Sequence, residues 1–80
     1  MKIPQYKTSN FYLSAYLICK DLELIGIDRE DPKRSVFIFS DSPRREEMVN
    51  QYNFGKDAWV DARRFATAIK DLKGKLYSHY

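Results

Sequence analysis

The run Phe11-Tyr12-Leu13-Ser14-Ala15-Tyr16-Leu17-Ile18-Cys19 is apolar at nearly every position, and this constrains the fold of an 80-residue chain more than any other feature. Wound as a helix over about 10–20, it places Phe11, Ala15, Ile18, Cys19 and Leu22 on one face, with Leu13, Tyr16 and Leu17 beside or behind them. A helix that is apolar around most of its circumference has to be packed on more than one side. Ser9 stands before it as a capping hydroxyl. A chain this short buries only about 60–65% of its unfolded surface, so the remaining elements must enclose this helix economically.

Those elements can be read from their punctuation. Leu22 to Asp28 reads as a strand, and Arg29-Glu30-Asp31-Pro32-Lys33 as a polar turn, with Pro32 presetting φ and donating nothing to a ladder. Ser35-Val36-Phe37-Ile38-Phe39-Ser40 is β-branched and aromatic on both faces, which predicts an interior strand paired antiparallel with its predecessor. The hairpin therefore spans about 22–40. Ser42-Pro43 opens a helix over about 43–53 that stops near Gly55. Lys56 to Val60 reads as a short third strand, about 56–60. Asp61 caps a last helix over about 62–77, whose apolar positions Ala62, Phe65, Ala66, Ile69, Leu72, Leu76 and Tyr77 keep helical spacing. Gln5-Tyr6-Lys7 is a further short strand candidate. The expected fold is α+β, a single domain over 1–80 with three helices packed on a small antiparallel sheet.

Composition excludes several classes. Apolar types supply 44% of the chain and charged types 31%, a globular balance rather than a disordered or low-complexity one. Fourteen Lys and Arg against eleven Asp and Glu give a net charge of +3, which permits a polyanionic partner without requiring one. The lone cysteine, Cys19, points to a reducing compartment. No apolar run reaches the roughly 18–20 residues that span a bilayer, and Met1-Lys2-Ile3-Pro4-Gln5 lacks a hydrophobic signal region. A cytoplasmic protein without membrane contact is expected.

Catalytic groups are scarce. The single histidine, His79, is next to last, where chain ends fray. Cys19 lies on an apolar helix face, where a thiol acts as a small hydrophobe. Asp41, Glu46, Glu47, Asp57 and Asp61 sit near helix starts and turns, where capping accounts for them. Gly26, Gly55 and Gly74 stand too far apart for a phosphate loop. No catalytic residue, metal or cofactor is expected, and the chain reads as a non-enzymatic domain.

One local oddity occurs twice. Ser42-Pro43-Arg44-Arg45 and Asp61-Ala62-Arg63-Arg64 each read as a cap, a first helical residue and two arginines. The macrodipole favours acids in a first helical turn by about 0.3–1 kcal/mol each, so these pairs oppose the local rule. Such departures concentrate at functional sites. A phosphate at a helix start would meet free N–H groups and forked guanidinium donors together. On the last helix Arg63, Thr67, Lys70 and Gly74 share one polar stripe. Arg44, Arg45, Arg63, Arg64 and Lys70 are the candidate nucleic-acid or anion-binding residues, acting on phosphates without base readout. The competing account is a solvated face on which Asp41, Glu46 and Glu47 neutralise the first pair and Asp61 the second.

Lys33-Arg34-Ser35-Val36-Phe37-Ile38-Phe39 also invites comparison with the basic-aromatic strand on which RNA-recognition motifs stack bases, although the glycine of that signature is missing. A buried central strand has the same pattern. The expected partner is nucleic acid. The alternative is a protein-interaction, adaptor or regulatory module, homodimeric or docked on a larger protein, using the tyrosines and arginines that interfaces favour. A small phosphorylated ligand at one helix start is a third reading.

Tyr6-Lys7-Thr8-Ser9 leading into Phe11-Tyr12-Leu13-x-Ala15-Tyr16-Leu17, then Val36-Phe37-x-Phe39 and Asp41-Ser42-Pro43, form one set of motifs. Val60-Asp61-Ala62-Arg63-x-Phe65 and Leu72-Lys73-x-x-Leu76-Tyr77 complete it. On these residues the chain resembles a small domain of unknown function found in bacterial and phage proteins. The resemblance spans nearly the whole chain and falls mostly on core and capping positions. It implies a prokaryotic or phage setting, where small basic domains often bind nucleic acid or regulate other machinery. It brings no functional residues of its own.

Overall fold

Asn10, rather than Ser9, starts the first helix: its Oδ1 accepts from the Leu13 amide at 3.0 Å and its carbonyl from the Ser14 amide at 3.0 Å. Asn10 keeps extended backbone angles, so its short amide can turn back onto the first turn, as an N-cap requires. This helix, α1, covers Phe11–Cys19 in the computed structural model, which describes residues 4–31, 33–55 and 59–77.

The end of α1 is a Schellman closure. The Leu22 amide donates to the Leu17 carbonyl and the Asp21 amide to the Ile18 carbonyl, each at 3.0 Å. Asp21 takes the left-handed position of the motif, with φ 67°, where glycine is usual.

Three strands form one antiparallel sheet in the order β1-β3-β2: β1 is Gln5–Thr8, β2 is Leu24–Asp31 and β3 is Arg34–Ser40. The β2–β3 hairpin and the central place of the Val36–Phe39 run match the sequence reading, but β2 starts at Leu24 rather than Leu22 and runs on through Arg29–Asp31, the residues expected in the turn, because Asp31 pairs with Arg34. Tyr6 pairs with Phe39 and Thr8 with Phe37, while Leu24 and Ile27 flank the same two phenylalanines from the other side. The ladder slips between Leu24 and Gly26, a bulge that twists the edge strand. The strand expected at 56–60 is corrected in part. Residues 56–58 lie outside the described ones, and Trp59 and Val60 are not in a strand. Both edges of β3 are already occupied, by β1 and β2, so no ladder position beside it remains.

Two further helices complete the chain, α2 over Arg45–Phe54 and α3 over Ala62–Tyr77. The expected start of α2 at 43 moves because Pro43 and Arg44 form a turn, held by the Arg44 amide on Ser42 Oγ (3.2 Å) and the Arg45 amide on the Ser42 carbonyl (2.9 Å). Gly55 closes α2 as expected, its amide on the Gln51 carbonyl at 2.9 Å. Asp61 caps α3, its Oδ1 accepting from the Arg63 and Arg64 amides at 2.9 and 3.1 Å. At the other end Arg29 of β2 donates to the exposed carbonyls of Leu76 and Lys75, supplying both hydrogen bonds and positive charge where the helix dipole is negative.

The helix α1 is the hub. It packs on α3, on α2, and on the sheet through Phe11, whose ring meets Phe37 edge to face at 6.1 Å. Leu13, Ala15, Tyr16, Leu17 and Cys19 are buried with Leu22, Phe37, Phe39, Ala68 and Leu72. Ser14 is wholly buried as well, its hydroxyl donating to the Asn10 carbonyl at 2.8 Å. Its small size suits a crowded position on a helix packed on several sides. Alternation along the strands sends Val36, Ile38 and Lys7 to the opposite sheet face, away from this cluster.

Candidate functional site

The five basic residues singled out by the sequence divide into three environments. Arg45 is a structural cation. Its guanidinium lies over the Tyr6 ring, 4.4 Å from the centroid, and donates to both carboxylate oxygens of Asp41 at 3.0 and 3.4 Å. The hydrogen bond from Arg45 holds the Asp41 carboxyl below the usual carboxylate range, and the same bond raises Arg45. The ring and the carboxylate together dock the start of α2 onto β1.

Arg63 and Lys70 are both exposed on α3; Lys70 lies opposite buried Ala68 and Leu72, while Arg63 borders a depression that also reaches Ala68. Among the described residues no carboxylate pairs with either side chain.

Arg44 and Arg64 are brought together. One from each arginine pair, they line a single depression of about 480 Å³ with Lys20, Asp21, Trp59 and Asp61. Lys20 is the residue that closes α1, and its ammonium stands 5.5 Å from the Tyr16 ring centroid. Arg64 donates to Asp21 Oδ1 at 2.9 Å. Trp59 presents 74% of its surface to solvent. A second depression, lined by Tyr16, Glu47, Met48 and Gln51, adjoins the first through Lys20 and Arg44. A third continues from Cys19 and Arg64 to Arg63, Thr67 and Asp71. Bordering one another through these shared residues, the three depressions make up a broken furrow over α2, the end of α1 and the start of α3.

Neither helix start is an open anion site by itself. The Asp61 carboxylate already accepts the first α3 amides, and Ser42 accepts the Arg44 amide. The cations act through their side chains, across the gap between helices. Lys20 and Trp59 were not among the sequence candidates. Both lie in connecting segments, where no periodicity marks them. The only signals were a lysine at the end of a buried helix and the chain's single tryptophan.

Of the two accounts of β3, the buried central strand holds and base stacking does not. Phe37 and Phe39 are 2% and 0% exposed, turned into the helical layer rather than out to a ligand. Cys19 borders the furrow yet is buried, and burial pushes its thiol up in pKa, so it stays protonated at neutral pH. His79 and Asp57 lie outside the described residues. Among the described residues no cluster of three or more His, Cys, Asp or Glu could hold a metal ion, and no helix is long and apolar enough to cross a membrane.

A family model described as a domain of unknown function (DUF5659) matches residues 4–78, and the chain belongs to that family. No curated protein and no solved structure is significantly similar to it.

Proposed function

We propose that this family member is a non-enzymatic domain that binds nucleic acid through phosphates, with Lys20, Arg44 and Arg64 as the central contacts and Arg63 and Lys70 extending them along α3. The observation that carries this reading is the convergence of Lys20, Arg44 and Arg64, from three separate segments, on the rim of one depression. Convergence matters because isolated surface cations bind polyanions weakly, whereas cations spaced along a groove release counterions together. Four carboxylates also line the furrow: Asp61 is engaged with helix amides and Asp21 with Arg64, while Glu47 and Asp71 stand in the two outer depressions. Arg45 is set apart from this role by its partners Asp41 and Tyr6.

Fluorescence anisotropy of labelled oligonucleotides at several salt concentrations tests it. Neutralising three to five phosphates gives a slope of log affinity against log salt between about −2 and −4.5. Arg44→Gln with Arg64→Gln should lower that slope by one to two, while Arg45→Gln should leave it unchanged. Absence of binding below about 100 μM at about 50 mM salt ends the reading.

Exposed aromatics favour a second reading, a protein-interaction module. Tyr12, Phe54 and Tyr77 expose 58%, 83% and 64% of their surfaces, and such residues anchor interfaces.

A further inference from the structure

We infer that the nucleic acid held by this furrow is single-stranded, with one base stacked on the indole of Trp59; this rests on the phosphate-binding reading above. Trp59 is 74% exposed and is the chain's one tryptophan. It lines the same depression as Lys20, Arg44 and Arg64. An exposed indole beside converging cations offers a π-face to a base and positive charge to the flanking phosphates, the two elements that sequence-tolerant single-strand sites combine. In a duplex the bases are stacked on one another, and an aromatic face at the surface reaches them only after unstacking. Further depressions, reaching Gln51 and Thr67, border this one through Lys20 and Arg44 and through Cys19 and Arg64, which gives flanking nucleotides concave surface on either side. Phe37 and Phe39, the aromatics that could have stacked bases on the sheet, are buried, and so is Tyr16 beside Lys20, which leaves Trp59 as the exposed aromatic ring at the cationic rim among the described residues.

The lone tryptophan makes the test direct. Full-length protein is titrated with a thymidine 12-mer and with a 12-base-pair duplex, following Trp59 emission and, in parallel, the anisotropy of labelled oligonucleotide. The single strand should quench Trp59 emission strongly and saturate with the same midpoint as the anisotropy, whereas the duplex should quench little. Trp59→Ala should weaken single-strand binding roughly 10- to 100-fold, and Trp59→Phe should recover part of it. Because Trp59 is exposed, both variants should melt near the wild-type temperature, which the same samples report by circular dichroism. Binding that depends on Arg44 and Arg64 but leaves Trp59 emission and the Trp59→Ala affinity unchanged overturns stacking while sparing the phosphate reading. Tighter binding to the duplex also overturns it. Absence of any binding overturns both.

Discussion

Arg64, in the first turn of α3, donates to the carboxylate of Asp21, which occupies the left-handed position that ends α1. The pair ties two helix ends across the furrow at a position whose backbone would favour glycine. A non-glycine residue in this region costs on the order of 1 kcal/mol, and an exposed ion pair returns less than that.

Asp21→Gly should therefore raise stability by roughly 0.5–1 kcal/mol, a gain of a few degrees in Tm for a domain of this size. Asp21→Ala, which keeps the backbone strain and loses the pair, should lower Tm. Thermal melts of the two variants check this, and a lower Tm for Asp21→Gly would show that the Arg64 contact outweighs the backbone. Both variants should also bind polyanions more tightly, since one carboxylate leaves the furrow.

The Asp41–Arg45 pair sets an acid limit. The carboxyl is lowered in the folded state by the Arg45 hydrogen bond, so the unfolded chain takes up its proton first as pH falls. The contribution is fully present above the ordinary Asp value near pH 4 and is lost as pH drops through the lower folded value. Asp41→Asn should be less stable than wild type at pH 7 and should lose less stability between about pH 4 and 2. Urea melts across that range measure the difference; parallel curves would contradict it.

Core truncations should rank by burial rather than side-chain size. Leu72 is fully buried, so Leu72→Ala should cost about 2–5 kcal/mol, a large share of the total for a small domain. Phe65 is only half-buried at the margin of the core, and Phe65→Ala should cost less than Leu72→Ala despite removing a larger group. Denaturant midpoints of the two variants decide the order.

Gly74 lies inside α3, and a Cβ built there meets nothing within 4 Å. Among the described residues no close backbone approach explains the glycine. Gly74→Ala should stabilise the protein by about 0.5–1 kcal/mol through helix propensity alone. A destabilised variant would mean that the surface of α3 near Gly74 is covered in the functional state.

Much of this architecture was legible because local signals agreed with one another. The bounds of α3 follow from the Asp61 cap and the apolar stripe, and β3 is central because its sequence is apolar on both faces. The hub role of α1 follows from its apolar circumference, and burial of Cys19 from its place on it. Other features depend on partners distant in sequence. Phe65 has the right spacing for the core, but Ala68 and Leu72 are the residues on the most deeply enclosed line of the helix. Asn10 displaces Ser9 as the cap because the helix starts at Phe11, and the residue directly before it is the one whose side chain meets the Leu13 amide. The candidate site divided for the same reason. Tyr6 and Asp41 remove Arg45 from it, while the packing of α1 between α2 and α3 adds Lys20, and the segment leading into α3 adds Trp59.

Because β3 lies between β1 and β2, the sheet is assembled on two different timescales. The β2–β3 ladder closes across a tight turn, a local event, whereas Tyr6 finds Phe39 only by closing the loop that contains α1 and most of the hairpin. The first strand is the last to dock and the first to leave. When it leaves, it takes the Tyr6 ring from beneath Arg45, so fraying of β1 loosens the start of α2 as well. Amide exchange along β1 should accordingly outpace that along β3, with the first turn of α2 exchanging in step with β1.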